Sequence, residues 1–157
     1  MTVVTTALPK RPLTADDLDA LPDDGHRYEI VDGTLIVSPG PELRHQVVQA
    51  RLLATLISSC PDDLIVFATP TDLLLADDTV VQPDVLVVRR ADVRGRRLTA
   101  TPALVVEILS PSTRLIDLNL KRARYERAGV PAYWAVDPDG PRLTVWELRD
   151  PSYVEVA

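Results

Sequence analysis

Two nearly continuous apolar segments constrain the fold of this chain more than any other feature. Residues 80–88 and 103–109 each have the length of a strand, and their apolar side chains occur at successive rather than alternate positions. Such strands have both faces buried, as in the centre of a sheet that is covered on both sides. Each segment nevertheless holds one carboxylate, Asp84 or Glu107. A buried carboxylate is costly unless a cation compensates it.

The remaining signals predict an alternation of helices and strands. Residues 43–59 carry apolar side chains at helical spacing. Ser112 or Thr113 caps a second helix that ends at about residue 128. An Asp-Gly turn joins the first two of the other strands, which are predicted at residues 28–31, 34–38, 64–68, 71–76, 132–136 and 143–148.

This order predicts an α/β or α+β protein, in which a central mixed β-sheet has one main helix on each side. Pro83 is the exception to the pattern, because proline cannot donate a hydrogen bond to a sheet. We therefore expect a sheet edge, a bulge or the start of a strand at Pro83.

Length and composition are those of a single-domain globular protein. The length of 157 residues fits one domain, which we predict at residues 13–157. Residues 1–12 are predicted to form a flexible N-terminal arm. No apolar run approaches the ~20 residues that span a bilayer, and residues 1–11 lack an apolar signal core. We therefore expect a cytoplasmic protein with no membrane contact. Cys60 is the only cysteine, which excludes a disulfide within the chain and a zinc knuckle.

The charge is unevenly distributed along the chain. The formal net charge is −6, yet residues 89–127 hold ten Lys or Arg and only four Asp or Glu. A basic segment around a candidate site is typical of proteins that bind nucleic acid. It is equally typical of a solvated basic surface, and both interpretations remain open at this point.

Asp84 and Glu107 are the first candidates for a metal site. If their strands are neighbours, both carboxylates project toward the same edge, where they can bind Mg²⁺ or Mn²⁺, which prefer oxygen ligands. The backbone carbonyl of Ile108 is a candidate third ligand. A metal there would polarise a phosphate and lower the pKa of a bound water. The plainer interpretation of Asp84 is a carboxylate beside a turn, whereas Glu107 needs a partner in any case.

Asp117 and Lys121 are four residues apart on the predicted second helix and therefore share one face. They form either a surface ion pair of little energetic weight, or a pair in which Lys121 turns inward. In the second case Lys121 positions the attacking water or stabilises phosphate charge, and Asp117 orients Lys121. Arg122 and Arg124 are candidates for contacts with a nucleic-acid backbone, or for solubilising charges.

Glu29 and His45 are the remaining candidates. Glu29 is either an outward-facing strand carboxylate or a further acid at the metal site. His45 lies near the start of the first long helix. It is either a surface or packing residue, or a group that reaches the site as a proton carrier or phosphate contact. The chain has neither a glycine-rich phosphate loop nor a dinucleotide-binding motif.

An ordered set of short motifs resembles a known family. The motifs are Tyr28-Glu29-Ile30-Val31-Asp32-Gly33, Ser38-Pro39, Arg44-His45, Gln82-Pro83-Asp84, Val106-Glu107-Ile108-Leu109-Ser110-Pro111-Ser112, Asp117 with Lys121, Tyr125, Gly129-Val130 and Tyr133-Trp134. In this order they are similar to the Uma-two family of restriction-endonuclease-like proteins. That family was long described as a domain of unknown function, and it belongs to the PD-(D/E)XK nuclease superfamily. The similarity covers roughly residues 13–155.

The resemblance implies a restriction-endonuclease-like fold, with a central mixed sheet flanked by helices. It also implies site residues: Asp84 matches the aspartate of the Pro-Asp element, Glu107 the acid of the second element, and Glu29 an early acidic residue often found near such sites. The usual lysine two residues after the second acid would fall on Leu109, which cannot serve. The resemblance therefore implies that Lys121 supplies the amine from the following helix.

Three hypotheses follow. The first is a Mg²⁺- or Mn²⁺-dependent nuclease that hydrolyses phosphodiester bonds in nucleic acid, with DNA as the favoured substrate. The second is a non-catalytic nucleic-acid-binding or regulatory module that keeps the fold, which the net charge of −6 favours. The third is an interaction protein that self-associates through sheet edges. The chain stops at Ala157, earlier than family members usually do, which implies a sheet edge that is missing or supplied by a partner, as in a homodimer.

Overall fold

The computed structural model of the protein describes residues 10–157, and its strands form two sheets. The strands are β1 Arg27–Val31, β2 Thr34–Ser38, β3 Leu64–Ala68, β4 Leu73–Ala76, β5 Thr79–Val81, β6 Val85–Arg89, β7 Leu104–Ile108, β8 Ala132–Asp137, β9 Arg142–Arg149 and β10 Ser152–Glu155. The helical segments are α1 Ala15–Leu18, α2 Leu43–Ser59, a 3₁₀ turn Arg90–Asp92, a π-helical turn Ile116–Lys121 and α3 Arg122–Arg127. The predicted arm at residues 1–12 falls largely on residues 1–9, which lie outside the described residues.

The larger sheet has the strand order β10-β9-β8-β7-β6-β3. Strands β7 and β8 are parallel, with Val105 opposite Tyr133, and the other pairs are antiparallel. In the β6–β7 pair, Val85 lies opposite Val106, so the two predicted apolar strands are neighbours. This mixed sheet confirms the predicted fold class.

Helices cover both faces of the larger sheet. Val85 and Val87 of β6 belong to a cluster that packs against Leu52, Leu53 and Leu56 of α2. Their neighbours Leu86 and Val88 belong to a second cluster, which includes Tyr125 of α3. Because side chains alternate between the faces of a strand, β6 contributes to both clusters. This arrangement explains why its sequence lacks polar alternation.

Residues 80–88 do not form the single strand that we predicted. Strand β5 belongs to a four-stranded sheet with the order β2-β1-β5-β4, whereas β6 belongs to the larger sheet. Residues 82–84 carry the chain from one sheet to the other. Pro83 has no N–H to donate, so it suits this link better than the middle of a strand. Asp84 therefore lies at the junction of the two sheets.

The hairpin formed by β1 and β2 confirms the predicted Asp-Gly turn. Asp32 and Gly33 have φ angles of 52° and 72°, as a two-residue hairpin turn requires. A Cβ atom at Gly33 would lie 2.5 Å from Cβ of Pro12, so glycine is needed for close packing as well. The N–H of Leu13 donates to the carbonyl of Gly33 at 2.8 Å. The end of the predicted arm is therefore held against the hairpin.

The first long helix has the predicted bounds, and the second begins where the sequence predicted it. Its helical residues start at Arg114, pass through the π-helical turn Ile116–Lys121 and continue as α3 from Arg122. At its start, the N–H of Arg114 donates to the carbonyl of Ser110 at 2.9 Å, and the N–H of Asp117 to that of Thr113 at 2.9 Å. Both bonds span four residues, as in an α-helix, so the first helical turn forms as predicted, and the π-helical geometry that follows it was not predicted.

The C-terminal edge of the larger sheet is a strand that we did not predict. Strand β10 pairs antiparallel with β9, with Tyr153 opposite Leu148. Val156 and Ala157 extend the contact through hydrogen bonds to Val145 at 2.9 and 2.8 Å.

Within residues 10–157, no helix combines the length and the apolar character that crossing a bilayer would need.

Candidate functional site

Four carboxylates meet where the two sheets join. We refer to Glu29, Asp84, Glu107 and Asp117 as the carboxylate cluster; each is at most 2% exposed. Glu29 lies on β1, Asp84 on the link before β6, Glu107 on β7 and Asp117 in the π-helical turn. The structure thus brings Asp84 and Glu107 together with Glu29 and Asp117, whose placement the sequence left open.

Asp84 is held by donors from three different elements. Its Oδ1 accepts a hydrogen bond from Nη1 of Arg27 at 3.0 Å. Its Oδ2 accepts from Nε2 of His45 at 3.0 Å and from the N–H of Ile108 at 2.7 Å. Burial opposes ionisation, but the contacts from His45, Arg27 and Ile108 outweigh it and hold the pKa of Asp84 below its usual value. Asp84 is therefore a carboxylate at neutral pH.

Glu107 projects from β7 toward α3. Its Oε1 accepts a hydrogen bond from the Tyr125 hydroxyl at 2.6 Å and lies 2.6 Å from Nζ of Lys121. Its Oε2 accepts the N–H of Asp84 over a longer distance of 3.4 Å. Burial raises the pKa of Glu107 to about 8, against the opposing charge of Lys121. Oε2 is therefore the oxygen with spare capacity to accept.

Lys121 turns inward, as one of the two sequence interpretations predicted. Its Nζ lies 2.9 Å from Oε1 of Glu29 and 3.7 Å from Oδ1 of Asp117, in addition to the contact with Glu107. Burial lowers the pKa of this ammonium, but the carboxylates outweigh burial and raise its pKa above the usual value. Oε1 of Glu29 also accepts the N–H of Gln82 at 2.7 Å. Lys121 therefore stays charged and joins three acids from separate elements.

A cavity of about 480 Å³ opens beside Asp84. Arg27, His45 and Asp84 line it, whereas Glu107 and Lys121 lie outside its wall and are 0% and 1% exposed. Other parts of the wall come from the start of α2, the segment after β7 and the turn between β8 and β9. The wall also holds the hydroxyl groups of Ser38, Thr69, Ser110, Ser112 and Thr113. A ligand in the cavity would thus meet Asp84 before the other three acids of the carboxylate cluster.

Comparison with known proteins decides the family. Residues 15–157 match the Uma2 family, which is described as a putative restriction endonuclease. The chain belongs to the Uma2 family. The crystal structure of a putative nuclease belonging to DUF820 from Anabaena variabilis ATCC 29413 has a TM-score of 0.78 and 20% sequence identity, and the alignment covers 92% of this chain and 84% of that one. This likeness confirms the fold. No protein of curated function matched the chain.

In this Uma2 protein, Leu109 and Lys121 lie in different surroundings. Leu109 is 5% exposed and packs in the apolar cluster that includes Tyr125. Lys121 reaches Glu107 from the π-helical turn instead. A lysine therefore lies beside Glu107, and it comes from the π-helical turn rather than from the end of β7.

Arg122 and Arg124 have partners within the protein. The guanidinium of Arg122 lies 5.1 Å from the centroid of the Trp146 ring, and Arg124 pairs with Asp32. Neither arginine lines the cavity beside Asp84. Our prediction that they contact a nucleic-acid backbone therefore gains no support from their surroundings.

Arg27 is the site residue that we missed in the sequence. Besides its bond to Asp84, its Nε lies 3.5 Å from Oε2 of Glu29. Side chains two positions apart on a strand point to the same face. The spacing of Arg27 and Glu29 was therefore the signal that could have identified it.

The charges and donor atoms of the carboxylate cluster fit a divalent cation. Four acids face two permanently charged side chains, Arg27 and Lys121, which leaves two negative charges uncompensated when all four acids are ionised. The donors are oxygens, which Mg²⁺ and Mn²⁺ prefer. Within residues 10–157, no three His, Cys, Asp or Glu residues form a ready-made cage. The fit is therefore to an ion held by one or two carboxylates, as is common for Mg²⁺.

Proposed function

We propose that this Uma2 protein is a divalent-metal-dependent nuclease that hydrolyses phosphodiester bonds in nucleic acid, with DNA as the favoured substrate. The observation that supports it most is the meeting of Asp84, Glu107 and Lys121, from three elements, beside an open cavity. The family description agrees with it. Because the site draws on both sheets, we also propose that residues 13–157 act as one domain.

In this proposal Asp84 and Glu107 hold Mg²⁺ or Mn²⁺, and the carbonyl of Ile108 is the candidate third ligand. When bound, the cation supplies Lewis-acid stabilisation of phosphate charge and lowers the pKa of a bound water. Lys121 and Tyr125 both contact Oε1 of Glu107, so they orient this carboxylate and leave Oε2 for the ion. Lys121 also favours ionised Glu107, which is the form that a metal needs.

His45 has the position of a proton carrier in this scheme. It lines the cavity, and because a carboxylate only accepts, the hydrogen bond to Asp84 places the proton on Nε2. Nδ1 of a neutral ring is then an acceptor; it is buried and has no hydrogen-bond partner within residues 10–157. We propose that His45 carries the proton released by the attacking water, which requires Nδ1 to become accessible to the cavity.

The test is cleavage of supercoiled plasmid DNA in the presence of Mg²⁺ or Mn²⁺, followed over time. The informative variants are Asp84→Asn and Glu107→Gln, which keep side-chain size and remove charge. Asp62→Asn and Glu147→Gln are matched controls, because both residues are exposed. We expect cleavage by the wild type and both controls, and a loss of at least a hundredfold in the two site variants. Equal rates in all five proteins would refute the assignment.

A second candidate function is a nucleic-acid-binding module without catalysis. It is favoured by the complete burial of Glu107 and Lys121, and by the absence of a ready-made metal cage among the described residues. DNA binding by the wild type, with no cleavage in either metal, would establish this alternative and exclude the nuclease.

A further inference from the structure

Of the two permanent cations beside the carboxylate cluster, Arg27 is the one that a ligand can reach. It lines the cavity beside Asp84, and its side chain is 19% exposed. Lys121, the other permanent cation of the cluster, is 1% exposed and is not part of the wall. A ligand that enters the cavity can therefore contact the guanidinium of Arg27 directly.

The guanidinium of Arg27 has donors to spare. Within residues 10–157, its hydrogen bonds come from Nη1, which donates to Asp84 at 3.0 Å and to the carbonyl of Gln82 at 3.4 Å. Its Nε is buried and donates to no acceptor in that part of the chain, so Nη2, which makes no hydrogen bond there either, is the nitrogen with donors available to a ligand. A guanidinium carries five N–H donors in a planar fork, which matches two oxygens of a phosphate. The bond to Asp84 fixes the plane of this fork at the cavity.

The cavity also needs a cation if it is to receive a phosphate. Asp84 lines the wall, and Glu29 and Glu107 lie close to it. A phosphodiester carries a negative charge and is repelled by such carboxylates, even when one metal ion compensates part of their charge. A fixed guanidinium at the wall offsets this repulsion and adds directed hydrogen bonds.

We propose that Arg27 is a phosphate-binding residue, which donates to a backbone phosphate of nucleic acid in the cavity beside Asp84. This inference rests on nucleic acid being the ligand of the proposed function, but it does not require that cleavage follows. It assigns to β1 a role in holding the substrate, whereas Asp84 and Glu107 hold the metal.

The test measures DNA affinity apart from turnover. A fluorescein-labelled duplex of about 20 base pairs is titrated with protein in Ca²⁺ buffer, and anisotropy is recorded at several KCl concentrations. The variants are Arg27→Met, which removes charge and donors, and Arg27→Lys, which keeps the charge beside Asp84 but loses the planar fork. Arg149→Met is the control, because Arg149 is 60% exposed and pairs with Glu147 on the same strand. Thermal melts show which variants are folded.

We expect Arg27→Met to bind about tenfold more weakly at low salt, and to reduce the slope of log K against log salt by about 1, as the loss of one phosphate contact does. Arg27→Lys should bind about threefold more weakly with a nearly unchanged slope, and Arg149→Met should match the wild type. Wild-type affinity in Arg27→Lys and in folded Arg27→Met would overturn the inference, as would a wild type that binds no DNA. If Arg27→Met does not fold, Arg27→Lys alone decides. Wild-type binding without cleavage would instead refute only the nuclease function.

Discussion

Replacement of Lys121 by methionine tests the electrostatic balance of the buried site. Methionine keeps an unbranched apolar stem and removes the ammonium that lies 2.6 Å from Glu107 and 2.9 Å from Glu29. Removing one partner of a buried ion pair costs about 3–5 kcal/mol. We expect the cost to grow toward this value above about pH 8, because the pKa of Glu107 is about 8 in the presence of Lys121 and is higher without it. At lower pH a proton on Glu107 replaces part of the missing charge.

Proton linkage gives the sign of this pH dependence. An acid whose pKa is higher in the native than in the unfolded chain makes the native state less stable as pH rises between the two values. Lys121 lowers the pKa of Glu107, so removing Lys121 raises this pKa. The stability of the variant therefore keeps falling up to a higher pH than that of the wild type. The difference in unfolding free energy between the wild type and Lys121→Met should therefore be larger at pH 9 than at pH 6.

The assay is urea unfolding in EDTA at these two pH values, followed by tryptophan fluorescence. With an m-value of about 2 kcal/mol/M, the expected cost lowers the midpoint at pH 9 by about 1.5–2.5 M. Lys10→Met is the matched control, because Lys10 is exposed, and it should leave the midpoint unchanged. An equal shift at both pH values would refute the electrostatic reasoning. No shift at either would refute the buried position of Lys121.

Two further predictions concern the same site. Tyr125→Phe removes the 2.6 Å hydrogen bond to Glu107 and should lower the unfolding free energy in EDTA at pH 9 by about 2 kcal/mol. Tyr28→Phe, whose hydroxyl bonds to exposed Asp24, should change it by less than about 0.5 kcal/mol; equal costs would contradict the assignment. Mn²⁺ at one hundred times its Kd should stabilise the wild type by about 2.7 kcal/mol and raise its Tm by about 5–10 °C. Asp84→Asn and Glu107→Gln should show almost no rise, and a rise equal to that of the wild type would exclude these two ligands.

Local patterns in the sequence predicted the elements that short-range signals define. Helix α2 has the predicted bounds, and the hairpin turns at Asp32 and Gly33 as expected. Residues 80–88 were mispredicted because their two halves pair with strands that are far apart in the chain. Val80 lies opposite Ile30, whereas Val85 lies opposite Val106 and Ala68. Pro83 indicated that a strand could start there, as β6 does at Val85, but it did not show that the apolar run changes sheets at this point.

The sequence predicted which acids and which lysine belong to the candidate site. It did not predict which side chains contact one another there. The sequence left two interpretations for Glu29 and for His45, because each depends on how its element is rotated in the fold. The structure gives their positions, since Glu29 contacts Lys121 and His45 contacts Asp84. The partner of Arg122 was equally unpredictable from local sequence. Its guanidinium lies over the ring of Trp146, which is on a strand distant in the chain.

Asp84 and Glu107 are compensated by different parts of the fold. Asp84 depends on Arg27 of the smaller sheet and on His45 of α2, whereas Glu107 depends on Lys121 and Tyr125 beside the larger sheet. Their direct link is the long contact between the N–H of Asp84 and Oε2 of Glu107. Within the protein, Asp84 and Glu107 are thus linked only by this long hydrogen bond. A cation held by both carboxylates would add a second and stronger link between them. For this reason its stabilising effect should require both acids, and losing either one should remove most of it.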